Sequence, residues 1–276
     1  MLIKTNRFKT NLYAIFLTIP MKKEDATINS LIPAVLRRGT EKYPTQLEIE
    51  KRLEEMYGAS FNCGVDKIGN YQVLKFYIEG LSDEYTEEKQ NIEELLKEII
   101  YSPILENGYF KKEYVEQEKE NLRLIIESRK DNKARYAYER CIEEMFENEP
   151  YGVYKYGTVE DVEKITPESL YNQYKKILKN AQIDVFGCGN QLEEIEIPHK
   201  NTIEIKNTIH ENKHKEIKEK ADVTQGKLII GLDTPEENKP AITMYNAILG
   251  GGANSKLFQN VREKASLAYS AGSSYI

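Results

Sequence analysis

The residues able to do chemistry are few and unevenly placed. The chain has three histidines, His199, His210 and His214, all in one polar stretch and none in a periodic segment. A Ser-His-Asp triad or a histidine-rich metal site needs histidines held by folded elements, so neither is expected. His210 and His214 are four apart, a spacing that suits a metal on a helix. The flanking Asn212, Lys213 and Lys215 instead read as a solvated face. The three cysteines, Cys63, Cys141 and Cys188, form no CxxC. They read as small core residues of a chain in a reducing compartment, so a cytoplasmic location is expected. Glu118, Glu120 and Glu127 fall on one charged helical stretch. Glu118 and Glu120 read as a solvated stripe, and Glu127 has no obvious charge partner. The run from Gly250-Gly251-Gly252 to Ser255-Lys256 lacks the G-x-x-x-x-G-K-[ST] spacing of a phosphate loop, so nucleotide binding is not expected.

The elements that must hold these residues follow from pattern. Hydrophobic residues are 40% and charged residues 30% of the chain, which is a globular rather than a disordered composition. There are 39 Lys and Arg against 45 Asp and Glu, so 39 − 45 = −6. That balance disfavours a nucleic-acid partner, which needs clustered positive charge. No run of about 18 apolar residues is present, so no membrane span is expected. Residues 9–19 read as a buried strand ending before Pro20, in preference to a short signal peptide. A helix is expected over 25–37, kinked or starting late because Pro33 has no N–H and crowds the preceding turn. Thr45 caps a second helix running through Tyr57. Residues 59–66 and 71–80 form a hairpin across Gly69-Asn70. Helices are expected at about 85–100, from Lys111 to Phe146 with a soft break near Asp131-Asn132, and from Thr166-Pro167 to about Leu178. A strand follows at Gln182–Phe186.

The class is α+β: an antiparallel sheet packed by helices in a lobe over 1–190. A charged linker over 191–222 follows, and then the start of a second, similar lobe over 223–276. In that second lobe a strand is expected at Lys227–Leu232. Helices follow at about 238–249 and 254–264, and a strand from Leu267. With 276 − 222 = 54 residues after Asp222, this lobe is too short to bury a sound core unaided. Either more chain or a second chain is expected to complete its sheet.

Four segments together resemble the M16 (insulinase/pitrilysin-like) metallopeptidase family. The most specific runs from Ile248 through Gly250-Gly251-Gly252 and Ser255-Lys256-Leu257-Phe258 to Val261-Arg262-Glu263-Lys264 and Leu267-Ala268-Tyr269-Ser270. The others are Pro150-Tyr151-Gly152 with Gly157 and Ile165-Thr166-Pro167, then Glu120 to Glu127, and Arg37-Arg38-Gly39-Thr40. The family's zinc motif, H-x-x-E-H, lies just before that Gly-Thr. Two His one helical turn apart reach the metal, and the Glu activates a bound water.

Here the motif falls on Ser30-Leu31-Ile32-Pro33-Ala34. Ser30 and Ala34 stand at the histidine positions and Pro33 at the glutamate. Glu127 matches the third ligand, but one carboxylate makes no catalytic zinc site. No histidine precedes His199, so no shift of register restores the motif. Arg262 and Tyr269 do match the family's Arg/Tyr pair, which the resemblance implies would hold substrate and polarise a scissile carbonyl. It also implies that Gly250, Gly251 and Gly252 line a substrate chamber. The expectation is therefore a non-catalytic subunit that binds no zinc itself and pairs with an H-x-x-E-H homologue to hydrolyse peptides. The alternative is a peptide-binding or scaffolding protein with an inactive M16 fold.

Overall fold

The computed structural model describes residues 1–198, 201–204, 214–221, 223–234 and 237–275. His199 and His210 lie outside them, whereas His214 is exposed. The chain divides into two compact units, Met1–Gly231 and Leu232–Ile276.

The first unit is a five-stranded sheet with helices packed on it. Its strands are β1 (Leu2–Lys4), β2 (Thr10–Pro20), β3 (Ser60–Ile68), β4 (Tyr71–Leu81) and β7 (Gln182–Gly189). A two-residue pair, β5 (Leu105–Glu106) and β6 (Tyr109–Phe110), stands apart from that sheet. The order is β1-β7-β2-β4-β3, antiparallel except for the β1/β7 pair. Tyr13, Ile15, Leu17 and Ile19 alternate along β2 into the core, as a strand half-covered by helices requires. Leu74, Phe76 and Ile78 do the same on β4. The β3–β4 turn closes in two residues because Gly69 adopts φ +53°.

The helices are α1 (Lys23–Leu36), α2 (Gln46–Glu55), α3 (Ile92–Tyr101), α4 (Lys112–Glu127), α5 (Lys133–Met145), α6 (Val159–Glu163) and α7 (Pro167–Asn180). Their apolar faces, such as Leu95, Leu96, Ile99 and Ile100 on α3, join the same core. Thr45 and Thr166 each close a capping box, so the sequence signals for those two helix starts are realised.

Three expectations for this unit change. α1 runs without interruption through Pro33, because Leu31, Ile32, Val35 and Leu36 bury its face on both sides of the proline. α3 begins only at Ile92, since residues 86–90 form a loop tied by the Gln90 N–H to Asp83 Oδ1 at 2.9 Å. The three cysteines are half-buried rather than core residues.

In the second unit α8 (Lys239–Gly250) is followed by a π-helical segment, Phe258–Lys264. The strands expected at Lys227–Leu232 and from Leu267 do not form. A strand needs a ladder partner, and Leu228, Ile230 and Leu267 remain exposed without one. No helix among the described residues is long and apolar enough to cross a membrane.

Candidate functional site

Ser30, Pro33 and Ala34 lie on α1, which packs against β3, β4, α4 and α7. Ser30 is buried, and its hydroxyl donates to the Thr27 carbonyl at 2.8 Å within the same helix. The Pro33 carbonyl accepts from Cys63 Sγ at 3.2 Å. Burial pushes the Cys63 thiol up to about 12, so it stays a hydrogen-bond donor. A buried polar network fixes the helix. Asn29 donates to Gln72 at 2.9 Å and accepts from Gln173 at 2.7 Å. Gln72 in turn donates to the carbonyls of Ala26 and Lys155. Sequence periodicity missed this network, because a buried Asn or Gln carries no pattern that separates it from an exposed one.

The carboxylates of α4 divide differently from the expected stripe. Glu118 is 8% exposed and accepts from Arg38 at 3.2 Å and Asn121 at 3.0 Å. It is no solvated residue: α4 lies on α1, and Arg38 leaves the end of α1 to meet it. Glu120 does face solvent and pairs with Arg123, whose hydrogen bond holds its carboxyl below the usual range. Glu127, expected to lack a charge partner, accepts from Arg123 at 2.9 Å one turn earlier.

This donor set does not fit a catalytic zinc. Ser30 spends its hydroxyl on the helix, Pro33 and Ala34 offer no side-chain donor, and Glu127 is neutralised by Arg123. Among the described residues no group of three His, Cys, Asp or Glu side chains could hold a metal.

In the second unit, Gly250 ends α8 and its carbonyl accepts from the Ser273 N–H at 3.2 Å. Gly251 caps the helix, and Gly252 accepts from Ser255 at 3.0 Å. The three glycines thus form the turn between α8 and the π-helical segment. Arg262 lies on that segment with its guanidinium 4.5 Å from the Phe258 ring centroid. Tyr269 follows in irregular chain and is 85% exposed. It is neither a strand residue nor half-buried.

Comparison with known proteins agrees with these features. Residues 164–276 match the family model described as the peptidase M16 inactive domain. The chain is 36% identical over 291 aligned residues to the probable inactive metalloprotease YmfF of Bacillus subtilis (strain 168), covering 99% of this chain and 68% of that protein. The crystal structure of a conserved protein from Enterococcus faecalis V583 is 29% identical with a TM-score of 0.80, over 99% of this chain and 69% of that one. A peptidase M16 inactive domain from Pseudomonas fluorescens shares the fold at 16% identity and a TM-score of 0.66, over 100% of this chain and 68% of that one. On the YmfF match over nearly its whole length, the chain belongs to the M16 peptidase family, among its inactive homologues.

Proposed function

We propose that this chain is the zinc-less subunit of a heterodimeric M16-type peptidase. What supports the reading is an asymmetry. Ser30 spends its hydroxyl on α1, and Pro33 and Ala34 carry no ligand group, whereas Tyr269 is exposed and Arg262 is exposed with a 3.7 Å contact to the adjacent Glu263. An H-x-x-E-H partner would supply metal, water and base, so zinc belongs to the partner subunit alone. This chain would supply a chamber wall with Gly250, Gly251 and Gly252, and donors from Arg262 and Tyr269 to the developing oxyanion. Substrates would be extended peptides, and the exposed edge of β3 offers a ladder they could join. Neither nucleic acid nor membrane enters this role, which is set in the cytoplasm.

The test is co-expression with an H-x-x-E-H homologue and assay of peptide hydrolysis. Tyr269→Phe and Arg262→Ala should each lower kcat by about 100-fold, the loss that follows removal of one oxyanion donor. Unchanged kcat in both variants removes the assigned roles. Repeated pull-downs without any H-x-x-E-H protein would favour a scaffold instead. Metal analysis of the dialysed chain should find far less than one zinc per molecule, with no change in Glu127→Ala.

A further inference from the structure

A cleft of about 300 Å³ opens in the first unit between the β3–β4 turn, α5 and the segment Tyr151–Lys155. That volume is at the lower end of the range for small-ligand sites, roughly 300–1,000 Å³. It lies wholly within Met1–Gly231 and does not depend on the role proposed above.

Four cations line the cleft, Lys67, Arg129, Arg135 and Lys155, against three carboxylates, Asp66, Glu139 and Glu143, and Lys75 and Arg140 pair with Asp66 and Glu143 from beside the lining. Pairing accounts for all but one cation. Arg129 meets Glu139 at 2.6 Å and Glu143 at 2.5 Å. Arg135 meets Glu139 at 2.9 Å, and Lys155 meets Asp66 at 3.1 Å. Lys67 alone has no carboxylate within ion-pair distance among the described residues. Its ammonium donates to the carbonyls of Tyr151 at 2.7 Å and Val153 at 3.1 Å, and sits 4.9 Å from the Tyr151 ring centroid. Two of its three N–H groups are used. Burial lowers the Lys67 pKa, which is the cost of holding this cation with little solvent and no counter-ion.

From the Lys67 ammonium without a carboxylate partner and from this lining we infer that the cleft binds the C-terminal carboxylate of a peptide whose last side chain is apolar. Lys67 receives the carboxylate with its remaining N–H. Tyr138 and Ile142, one turn apart on α5, present a partly apolar wall to the same cleft. A C-terminal residue is the peptide unit that carries a carboxylate and a side chain on one Cα, so it can meet Lys67 and this wall together.

The test is calorimetry on the full chain with N-acetyl-Gly-Gly-Phe as free acid and as C-terminal amide, with acetate as a third ligand. The free acid should bind at least 10-fold tighter than the amide and than acetate, and Lys67→Met should abolish the preference over the amide. Equal binding of acid and amide, no binding of the acid, or a preference kept in Lys67→Met overturns the assignment. Acetate binding as tightly as the peptide acid overturns the peptide part of it. An amidated peptide with an internal glutamate that matches the free acid overturns the C-terminal part. The wild-type comparison of acid with amide decides the matter even where the variant fails to fold.

Discussion

At the scale of the residue, α1 and its neighbours show polar groups spent on structure. The Cys63 thiol is held near pKa 12 by burial, above its ordinary value. The unfolded chain therefore releases this proton from about pH 8.5 upward, while the folded chain keeps it. The unfolded state binds fewer protons there, so stability falls as pH rises from about 9 toward the folded value. Tyr13 and Tyr154, also raised to about 12 by burial, act in the same direction from about pH 10. The urea midpoint should drop across this range, and Cys63→Ala should make the drop shallower. An unaltered alkaline limb in that variant would show that the thiol titrates alike in both states. Glu118 makes a second case. Its side chain is 11% exposed against 22% for Arg38. Removing one member of a buried pair leaves an uncompensated charge, about 3–5 kcal/mol when burial is complete. Discounted for this partial exposure, Glu118→Ala should cost about 2 kcal/mol, read as a shift in the urea midpoint. A change within error would place Glu118 on the solvated stripe that the sequence suggested.

At the scale of the element, one glycine shows how the resemblance segments do structural work. Gly157 adopts φ +69°, and a Cβ there would overlap the Thr27 hydroxyl. Thr27 Oγ1 accepts the Thr158 N–H at 3.1 Å, and Thr158 caps α6, so α1 and α6 meet through this one bare backbone position. Gly157→Ala must both hold a disfavoured φ and push Thr27 aside, at a combined cost of about 3 kcal/mol. A Tm lowered by about 6–12 °C is expected, and a shift under 2 °C would mean that the contact yields easily. Elements with their own local signal could be read from sequence: the capped starts at Thr45 and Thr166, the Gly69-Asn70 hairpin, and the apolar run of β2 that ends at Pro20. The passage of α1 through Pro33 could not be read, since burial on both sides of the proline outweighs its local cost. Nor could the burial of Glu118 or the carbonyl contacts of Lys67, which depend on residues 80 or more positions away. The strands missing at Lys227–Leu232 and after Leu267 are the same lesson reversed: Leu228 and Ile230 carry strand character, but a ladder is a property of two segments.

At the scale of the whole molecule, the chain between the two lobes read from sequence is bound to the first compact unit in two different ways. Its opening part is packed. Leu192 and Ile195 are in the core, and the Tyr13 hydroxyl accepts the Glu193 N–H at 2.6 Å. Residues 214–221 are exposed and lie on α5 through charge. Lys215 pairs with Glu144 and Glu147, and Glu219 accepts from Arg140 at 2.8 Å and Tyr136 at 3.0 Å. The Arg140 hydrogen bond lowers the Glu219 carboxyl and the Lys215 bond lowers that of Glu144, so these attractions are in force at neutral pH and fade only under acid conditions. Exposed pairs are weak and are screened by salt, with a Debye length of about 3 Å at 1 M. A glutamate-specific protease provides the measurement because the segment contains its own control. Among the described residues Glu216 pairs only with Lys218 beside it, whereas Glu219 is engaged by α5. Cleavage after Glu219 relative to Glu216 should therefore rise several-fold from 0.05 to 1 M salt at pH 7.5, and should already be high at low salt in Arg140→Ala. A ratio that ignores both salt and Arg140 would mean that something other than these ion pairs holds the segment to α5.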